Sequence, residues 1–215
     1  LCVNNISTNK VYENLKPNYY LISDPAYWDN SPGDFLINYR KNIYRCIEKK
    51  TNWKMNFLAP SQSIKYLKRM KIFKNENIIY AQYNQTPIEG FKLFREILYS
   101  LNLGMPTPNN VLIPALVCSL NLGFKEIFII GADHSMFKNI YVNIENKLHK
   151  QGEHFYGKGK SRILYSYKYI NGYVNDSTPL RMSEFLDSAA SVFTSHETIK
   201  QYSNFKKAQI FNLTK

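Results

Sequence analysis

At two places in this chain an imidazole directly follows a carboxylate. Asp133-His134 follows a predicted strand, and Glu153-His154 lies in a polar stretch further along. Histidine titrates near neutral pH, so either imidazole could remove a proton from a sugar hydroxyl as a general base, with Asp133 orienting that base or the acceptor. The commoner role of a single histidine is an ordinary surface or hydrogen-bonding residue, and both interpretations stay open.

The residues that follow His154 are phenolic and cationic. Tyr156 and Lys158 come first, and Lys160 and Arg162 continue the pattern. Such donors stabilise the negative charge that develops on a departing phosphate or diphosphate. A solvated basic loop is the alternative, and the sequence gives it nearly equal weight.

The elements around Asp133 follow the order of an open α/β sheet. An apolar helix is predicted from Val111 to Leu122 and closes at Gly123. A short β-rich run from Ile127 to Ile130 then stops at Gly131-Ala132-Asp133-His134. Ligands of such sheets lie beyond the carboxyl ends of the strands, so this order indicates an enzyme of nucleotides or sugar phosphates.

Four polar clusters fall where strands are expected to end. They are Asn4-Asn5, Ser23-Asp24-Pro25, Pro106 to Asn110, and Gly131 to His134. We expect them to converge at one edge of the sheet and to hold a nucleotide and its sugar through Asn4, Asn5, Ser23, Asp24, Asn109, Asn110 and Gly131. Taken singly, each cluster is also what ordinary turns contain, because Asn, Asp and Gly are turn residues.

Strands and helices alternate along the chain, which predicts an α/β fold with a mostly parallel sheet flanked by helices. Strands are expected at 19–23, 55–58, 78–80, 127–130 and 209–213, and helices at 35–49, 61–68, 88–101, 111–122, 182–194 and 198–207. Ser61 is the expected amino-terminal cap of the helix at 61–68.

The polar, aromatic stretch 136–173 has little helical period, and we interpret it as a long lid-like loop or, alternatively, a surface loop without function.

Composition narrows the class of partner. The chain has 215 residues, 44% hydrophobic content and a net charge of +12, which fit one domain over 1–215 with an anionic partner. The basic residues are scattered without an RNP-type motif, so nucleic acid is not expected as a partner.

The sequence lacks the DxD, HExxH, Walker and GxGxxG motifs, so we expect neither a metal nor a cofactor. Cys118 lies in the predicted apolar helix and is expected to be a core residue. The sequence has no apolar run long enough to span a bilayer.

Both ends of the sequence are typical of strands. Leu1-Cys2-Val3 looks like the end of one, and 209–213 looks like another with nothing after it. We therefore expect a piece of a longer protein that lacks its first strand and a carboxyl-terminal segment.

Several motifs, taken in order, resemble a known group of proteins. They are CVNN, YYLISDPAYW, NVLIPALVCSLNLGFKEIFIIGADHS, EHFYGKGK and QIFNLT. They resemble bacterial surface-polysaccharide proteins with an MptE-like domain, named after the archaeal 6-hydroxymethylpterin diphosphokinase. More distantly, they are similar to Campylobacter-type sialyltransferases and motility-associated-factor glycosyltransferases. The resemblance covers nearly the whole chain, and GFKEIFIIGADHS is its most specific part.

The resemblance implies a Rossmann-like (GT-A-like) fold that binds a nucleotide without a divalent metal. It implies nucleotide contacts from Asn4 and from Asp24-Pro25, where the sialyltransferases carry Asn-Pro instead. Their catalytic histidine loop matches this chain at His154, but Lys158 occupies the catalytic position. Either His154 or His134 would then be the base, or the reaction differs.

These patterns together predict a glycosyltransferase of bacterial surface-polysaccharide biosynthesis. Its donor would be a nucleotide sugar, sialic-acid-like sugars included, and its acceptor a glycan or a lipid-linked sugar. We expect it in the cytoplasm, at the anionic inner membrane, and leave its oligomeric state open. The alternatives are pterin-type pyrophosphoryl transfer, which normally uses Mg²⁺ held by carboxylates, and a non-catalytic nucleotide-binding domain.

Overall fold

The computed structural model describes residues 1–28, 34–132, 137–138, 140–154, 157–170 and 173–214. Its strands are β1 (Cys2–Val3), β2 (Tyr19–Leu21), β3 (Met55–Pro60), β4 (Ile78–Tyr83), β5 (Glu126–Ile129), β6 (Ile140–Val142), β7 (Leu148–His154), β8 (Gly157–Ile163), β9 (Tyr165–Ile170), β10 (Tyr173–Pro179) and β11 (Gln209–Asn212). Its helices are α1 (Val11–Leu15), α2 (Asp34–Lys50), α3 (Ser61–Arg69), α4 (Lys92–Ser100), α5 (Leu112–Asn121) and α6 (Met182–Phe205). Short 3₁₀ helices cover Ile6–Thr8 and Pro25–Tyr27.

A parallel four-stranded sheet in the order β1-β2-β3-β4 forms the centre of the fold. Its register pairs Val3 with Leu21, Tyr20 with Phe57, and Phe57 with Tyr80. Parallel neighbours need a crossover between them, and helical segments supply it here. The predicted α/β fold, with a parallel sheet flanked by helices, is therefore confirmed.

Both faces of this sheet are buried. Tyr20 and Phe57 face one apolar cluster with α1, α2 and α3, and Leu21 and Leu58 face a second one with α5 and α6. Burial on both faces explains why the sequence of β3 is almost continuously apolar rather than alternating.

A second parallel pair joins β11 to β5, with Ile127 opposite Ile210. An apolar groove of about 280 Å³ lies where β1 faces β5, and Val3, Ile127 and Ile129 contribute to it. The expected upstream strand stays a prediction.

The hydroxyl groups of buried tyrosines are bonded to the backbone of neighbouring elements. Tyr83 Oη donates to the Ile22 carbonyl at 2.8 Å, and Tyr44 Oη donates to the Tyr27 carbonyl at 2.6 Å. Tyr12 Oη lies 2.7 Å from Thr51 Oγ1. Burial raises the pKa of Tyr12 to about 12, so its phenol stays protonated at neutral pH.

The predicted helix–glycine–strand unit is confirmed at α5 and β5. Gly123 has φ +92°, a left-handed conformation that glycine adopts without strain. The Gly123 and Phe124 amides then bond back to the Leu120 and Ser119 carbonyls at 3.2 and 3.3 Å, which ends the helix. Cys118 is buried in α5, as predicted.

Several predicted boundaries are wrong for identifiable reasons. The helix expected from residue 88 begins at Lys92, because Ile88 is held in an extended pairing with Met105 at 2.9 Å. Ser61 does not cap α3; Pro60 occupies the cap position, and Ser61 Oγ donates to the Tyr83 carbonyl at 2.8 Å. The two helices expected at 182–194 and 198–207 are one helix, α6.

The prediction of a loop without regular secondary structure over 136–173 is also wrong. The described residues there form an antiparallel sheet of β6, β7 and β8 and an antiparallel pair of β9 and β10. The alternating tyrosines at 165, 167 and 169 are a strand signal in the sequence of β9. The lid role of this region stays a prediction. None of the described helices has the length and apolar composition needed to cross a bilayer.

The bond from Tyr83 to Ile22 joins β4 to the end of β2. We expect Tyr83→Phe to lower the free energy of unfolding by about 1–3 kcal/mol, because the buried Ile22 carbonyl loses its donor. Urea denaturation measures this, with Tyr19→Phe on half-buried Tyr19 as the matched control, expected to stay within about 0.5 kcal/mol. Equal losses in the two variants would contradict the assignment.

Candidate functional site

A cleft of about 520 Å³ opens at the carboxyl ends of β3 and β4. Its polar lining consists of Ser61, Gln62, Asn84, Gln85 and Thr86, with proline side chains around them. Strand ends are where a parallel sheet first exposes side chains that neither face of the sheet buries. Among the residues that the structure describes, this cleft is therefore the candidate ligand site.

Two hydrogen-bonded turns shape this cleft. Ser61 Oγ holds the start of α3 against the end of β4 through the Tyr83 carbonyl. Asn84 Nδ2 donates to the Leu103 carbonyl at 2.9 Å, and its Oδ1 accepts the Thr86 amide at 2.9 Å. Asn84 thus fixes the turn after β4 and presents Gln85 to the cleft.

Ser23 connects the cleft to β2. It is buried, and its Oγ donates to Gln85 Oε1 at 3.5 Å. Asp24 is exposed beside it, and its Oδ1 accepts the Ala26 amide at 2.8 Å, which caps the 3₁₀ helix that begins at Pro25. One carboxylate oxygen of Asp24 therefore has a structural role.

Asn4 follows β1 at the same edge of the sheet. Its φ is +56°, and its amide donates to the Leu21 carbonyl at 3.4 Å. Its carbonyl accepts the Tyr20 hydroxyl. The Asn5 carbonyl accepts the Thr8 amide at 3.0 Å. The fold thus brings the first two predicted clusters to adjacent strand ends, and the contact of either with a ligand stays a prediction.

Asn109 and Asn110 lie in the loop between α4 and α5, so the prediction that their cluster follows a strand is wrong. Both residues make structural contacts. Asn109 Nδ2 donates to Ser191 Oγ at 2.7 Å, which attaches this loop to α6. Asn110 Oδ1 accepts the Ile113 amide at 3.1 Å in the first turn of α5. The same loop reaches the cleft through Pro108.

Gly131 leaves β5 with φ +80°. The next residue, Ala132, is held by Thr214 and Asn212 near the end of β11, at 3.0 and 3.2 Å. Gly131 therefore lies at a strand end, as predicted.

The predicted catalytic residues are only partly covered by the structure. Asp133, His134 and Tyr156 lie outside the described residues. The backbone places His154 at the end of β7 and Lys158 in the antiparallel neighbour β8, where Lys158 pairs with Glu153. The side chains of His154 and Lys158 also lie outside the described part, so their catalytic roles stay predictions.

A smaller pocket of about 280 Å³ lies between α4, the loop before α5, and α6. Hydroxyl groups of Thr107, Ser191, Thr194 and Thr198 line it together with Arg95. Arg95 bonds to Gln201 on α6, while its buried Nε has no hydrogen-bond partner. Among the described residues, no three His, Cys, Asp or Glu side chains are grouped so as to hold a metal ion.

Sequence reasoning missed Gln62, Gln85 and Arg95. A signal existed for Gln85, since Asn84-Gln85-Thr86 is a polar triplet directly after a strand. Gln62 and Arg95 lie in helices, where polar residues are ordinary, so only the packing reveals them.

Comparison with family models, with curated proteins and with solved structures gave no match. The resemblance to MptE-like proteins therefore stays a hypothesis based on the motifs alone.

Gly104 supports one wall of the cleft. A Cβ at this position would lie 2.6 Å from the Thr86 carbonyl and would also collide with the Ile88 side chain. We expect Gly104→Ala to push residues 86–88 outward, to lower the free energy of unfolding by about 1–3 kcal/mol, and to weaken ligand binding in the cleft. Urea denaturation and ligand titration measure the two effects. Ser100→Ala is the control, and a Gly104→Ala variant as stable as that control would refute the close contact.

Proposed function

We propose that this chain is the nucleotide-sugar-binding domain of a glycosyltransferase of bacterial surface-polysaccharide biosynthesis. The observation that supports this proposal best is the cleft of about 520 Å³ at the carboxyl edge of the parallel sheet. The motif resemblance is its second support. The donor would be a substrate, and the proposal assigns no step to a metal ion or a cofactor.

The chemistry of the cleft suits the uncharged parts of such a donor. The residues that line it are serine, threonine, glutamine, asparagine and proline, without a charged side chain. Carboxamides and hydroxyls both donate and accept hydrogen bonds, as the hydroxyl groups of a sugar and the edge of a base require. Gln85 and Gln62 are the side chains that we assign to this contact.

The start of α3 suits the phosphate of the donor. The helix begins at Ser61, beside the cleft, and its cap residue Pro60 makes no side-chain bond to the first turn. Amide groups at a helix amino terminus carry partial positive charge and bind phosphate. In the proposal, the sugar and nucleoside bind along the glutamines, and the phosphate lies at this terminus.

The proposed reaction is a single displacement. The oxygen of an acceptor hydroxyl attacks the anomeric carbon while a base takes its proton, and the bond from that carbon to the phosphate oxygen breaks. The nucleotide leaves with the electron pair. His154 or His134 is the proposed base, with Asp133 orienting it and Tyr156 and Lys158 neutralising the leaving phosphate.

Donor binding is the first test. We expect a CMP- or UDP-linked sugar to raise the thermal unfolding temperature in EDTA, since a ligand at a hundred times its Kd stabilises a fold by about 2.7 kcal/mol. Gln85→Leu should weaken binding about tenfold, because one buried hydrogen bond is lost. Gln82→Leu, an exposed glutamine on β4 outside the cleft lining, is the matched control.

The same panel separates the alternatives. If ATP stabilises the chain, and does so only when Mg²⁺ is present, the proposal is wrong and pterin-type pyrophosphoryl transfer is the better assignment. The absence of any stabilising nucleotide would favour a non-catalytic domain.

The base is tested by substitution of the two histidines. We expect either His154→Gln or His134→Gln to reduce kcat by about 10²–10⁴-fold with donor binding unchanged, because a general base contributes to this extent. His196→Gln, on α6, is the control. If both histidine variants keep full activity with an identified donor, neither residue is the base.

A further inference from the structure

The edge of the sheet opposite the cleft forms a continuous surface. The rings of Tyr19 and Phe124 are 6.2 Å apart, and Trp53 Nε1 donates to the Pro17 carbonyl at 2.9 Å. Lys125 Nζ donates to the Lys206 carbonyl at 2.6 Å. These contacts connect the segments that precede β2, β3, β5 and β11. We call this the basal surface, and it comprises residues 15–18, 49–54, 68–77, 121–125 and 205–208.

The basal surface collects the carboxyl-terminal ends of helices. Strands of a parallel sheet start at one edge, so the helices that precede them end there. At these ends an exposed large apolar side chain stands beside a cation. Leu15 is 54% exposed, Met70 53% and Phe124 47%, and the residue after each is a lysine. Phe205 and Lys206 repeat the pair at the end of α6.

Positive charge dominates the basal surface. Its exposed cations include Lys16, Lys54, Lys71, Lys74, Lys125 and Lys207. Glu76 within this surface and Glu126 beside it are exposed acids, fewer than the cations. Glu48 accepts the backbone amides of Lys74 and Asn75 at 3.1 and 3.4 Å, which anchors it within the fold. The cleft at the opposite edge, in contrast, is lined without a charged side chain.

Helix dipoles explain only part of this arrangement. Cations are favoured at helix carboxyl termini, which accounts for the lysines one by one. They do not account for the apolar side chain exposed beside each lysine. Apolar and cationic side chains together on one face are the combination that binds the interface of an anionic membrane.

We propose that the basal surface docks on an anionic phospholipid bilayer. Leu15, Met70 and Phe124 enter the boundary between headgroups and acyl chains, together with Leu122, which is 44% exposed at the end of α5. The lysines bind lipid phosphates. The cleft then faces away from the membrane, toward the aqueous side. Nucleic acid is the less favoured partner, because Leu15, Met70 and Leu122 are aliphatic and offer no stacking contact, although Phe124 has a ring that could stack on a base. This inference does not depend on the identity of the donor.

Vesicle sedimentation tests the proposal. We expect the chain to bind vesicles of phosphatidylcholine with about 30% phosphatidylglycerol at least about tenfold more tightly than phosphatidylcholine alone, and to release them as salt is raised. The triple variant Leu15→Ser, Met70→Ser, Leu122→Ser should bind about tenfold more weakly. Its matched control removes exposed apolar side chains elsewhere, as Leu93→Ser, Phe94→Ser, Ile144→Ser.

A charge series decides the result if the apolar variant does not fold. Lys54→Gln, Lys68→Gln and Lys74→Gln together should reduce binding about tenfold, while Lys10→Gln, Lys41→Gln and Arg45→Gln, which remove equal charge elsewhere, should not. Equal binding to neutral vesicles, equal loss in basal and control variants, or tighter binding of single-stranded DNA than of vesicles would each overturn the proposal. Basal variants should still bind the donor sugar, so failure here is distinguishable from failure of the proposed function.

Discussion

Burial of β2 and β3 on both faces is the constraint on which the rest of this structure depends. With apolar clusters on each side, every residue of these two strands is buried except Tyr19 and Asn56, which are half-buried. Polar atoms inside must then bond to the protein itself, since an unpaired buried polar group is costly. Tyr83 and Tyr44 meet this requirement by donating their hydroxyls to backbone carbonyls. Those bonds also connect neighbouring elements, so they add specificity to the packing.

The same constraint locates the candidate site. Polar side chains have room only where a strand has just ended, as Ser23, Ser61 and Gln85 show. Ser61 and Gln85 line the cleft, and the buried Ser23 bonds to Gln85. Much of the polarity at this edge supports the turns themselves. Asn84 and Asn110 direct their side chains to backbone groups. Gln62 and the amide nitrogen of Gln85, whose oxygen accepts the Ser23 hydroxyl, are what remains for a ligand, which is why the two glutamines are central to the proposed function.

Local signals in the sequence predicted the fold better than the site. The helix that ends at Gly123 and the strand that follows were predictable, because a helical period, a left-handed glycine and a β-rich run all agree there. Parallel topology also placed Asn4 and Ser23 at neighbouring strand ends. The contacts of Gln62 and Arg95 depend on packing between segments far apart in sequence, and no local pattern encodes them. Ser61 was misjudged for a similar reason, since its partner is Tyr83 on another strand.

The uninterrupted length of α6 has a mechanical consequence. Its middle is attached to the loop beside the cleft through Ser191 and Ser195, and its last residue, Phe205, belongs to the opposite edge. At 24 residues the helix is about 36 Å long. The helix is unbroken between Ser195 and Phe205, so a displacement of one of these positions is passed to the other. A tilt imposed at Phe205 must displace the loop that contains Asn109, and the two edges of the sheet are therefore not mechanically independent.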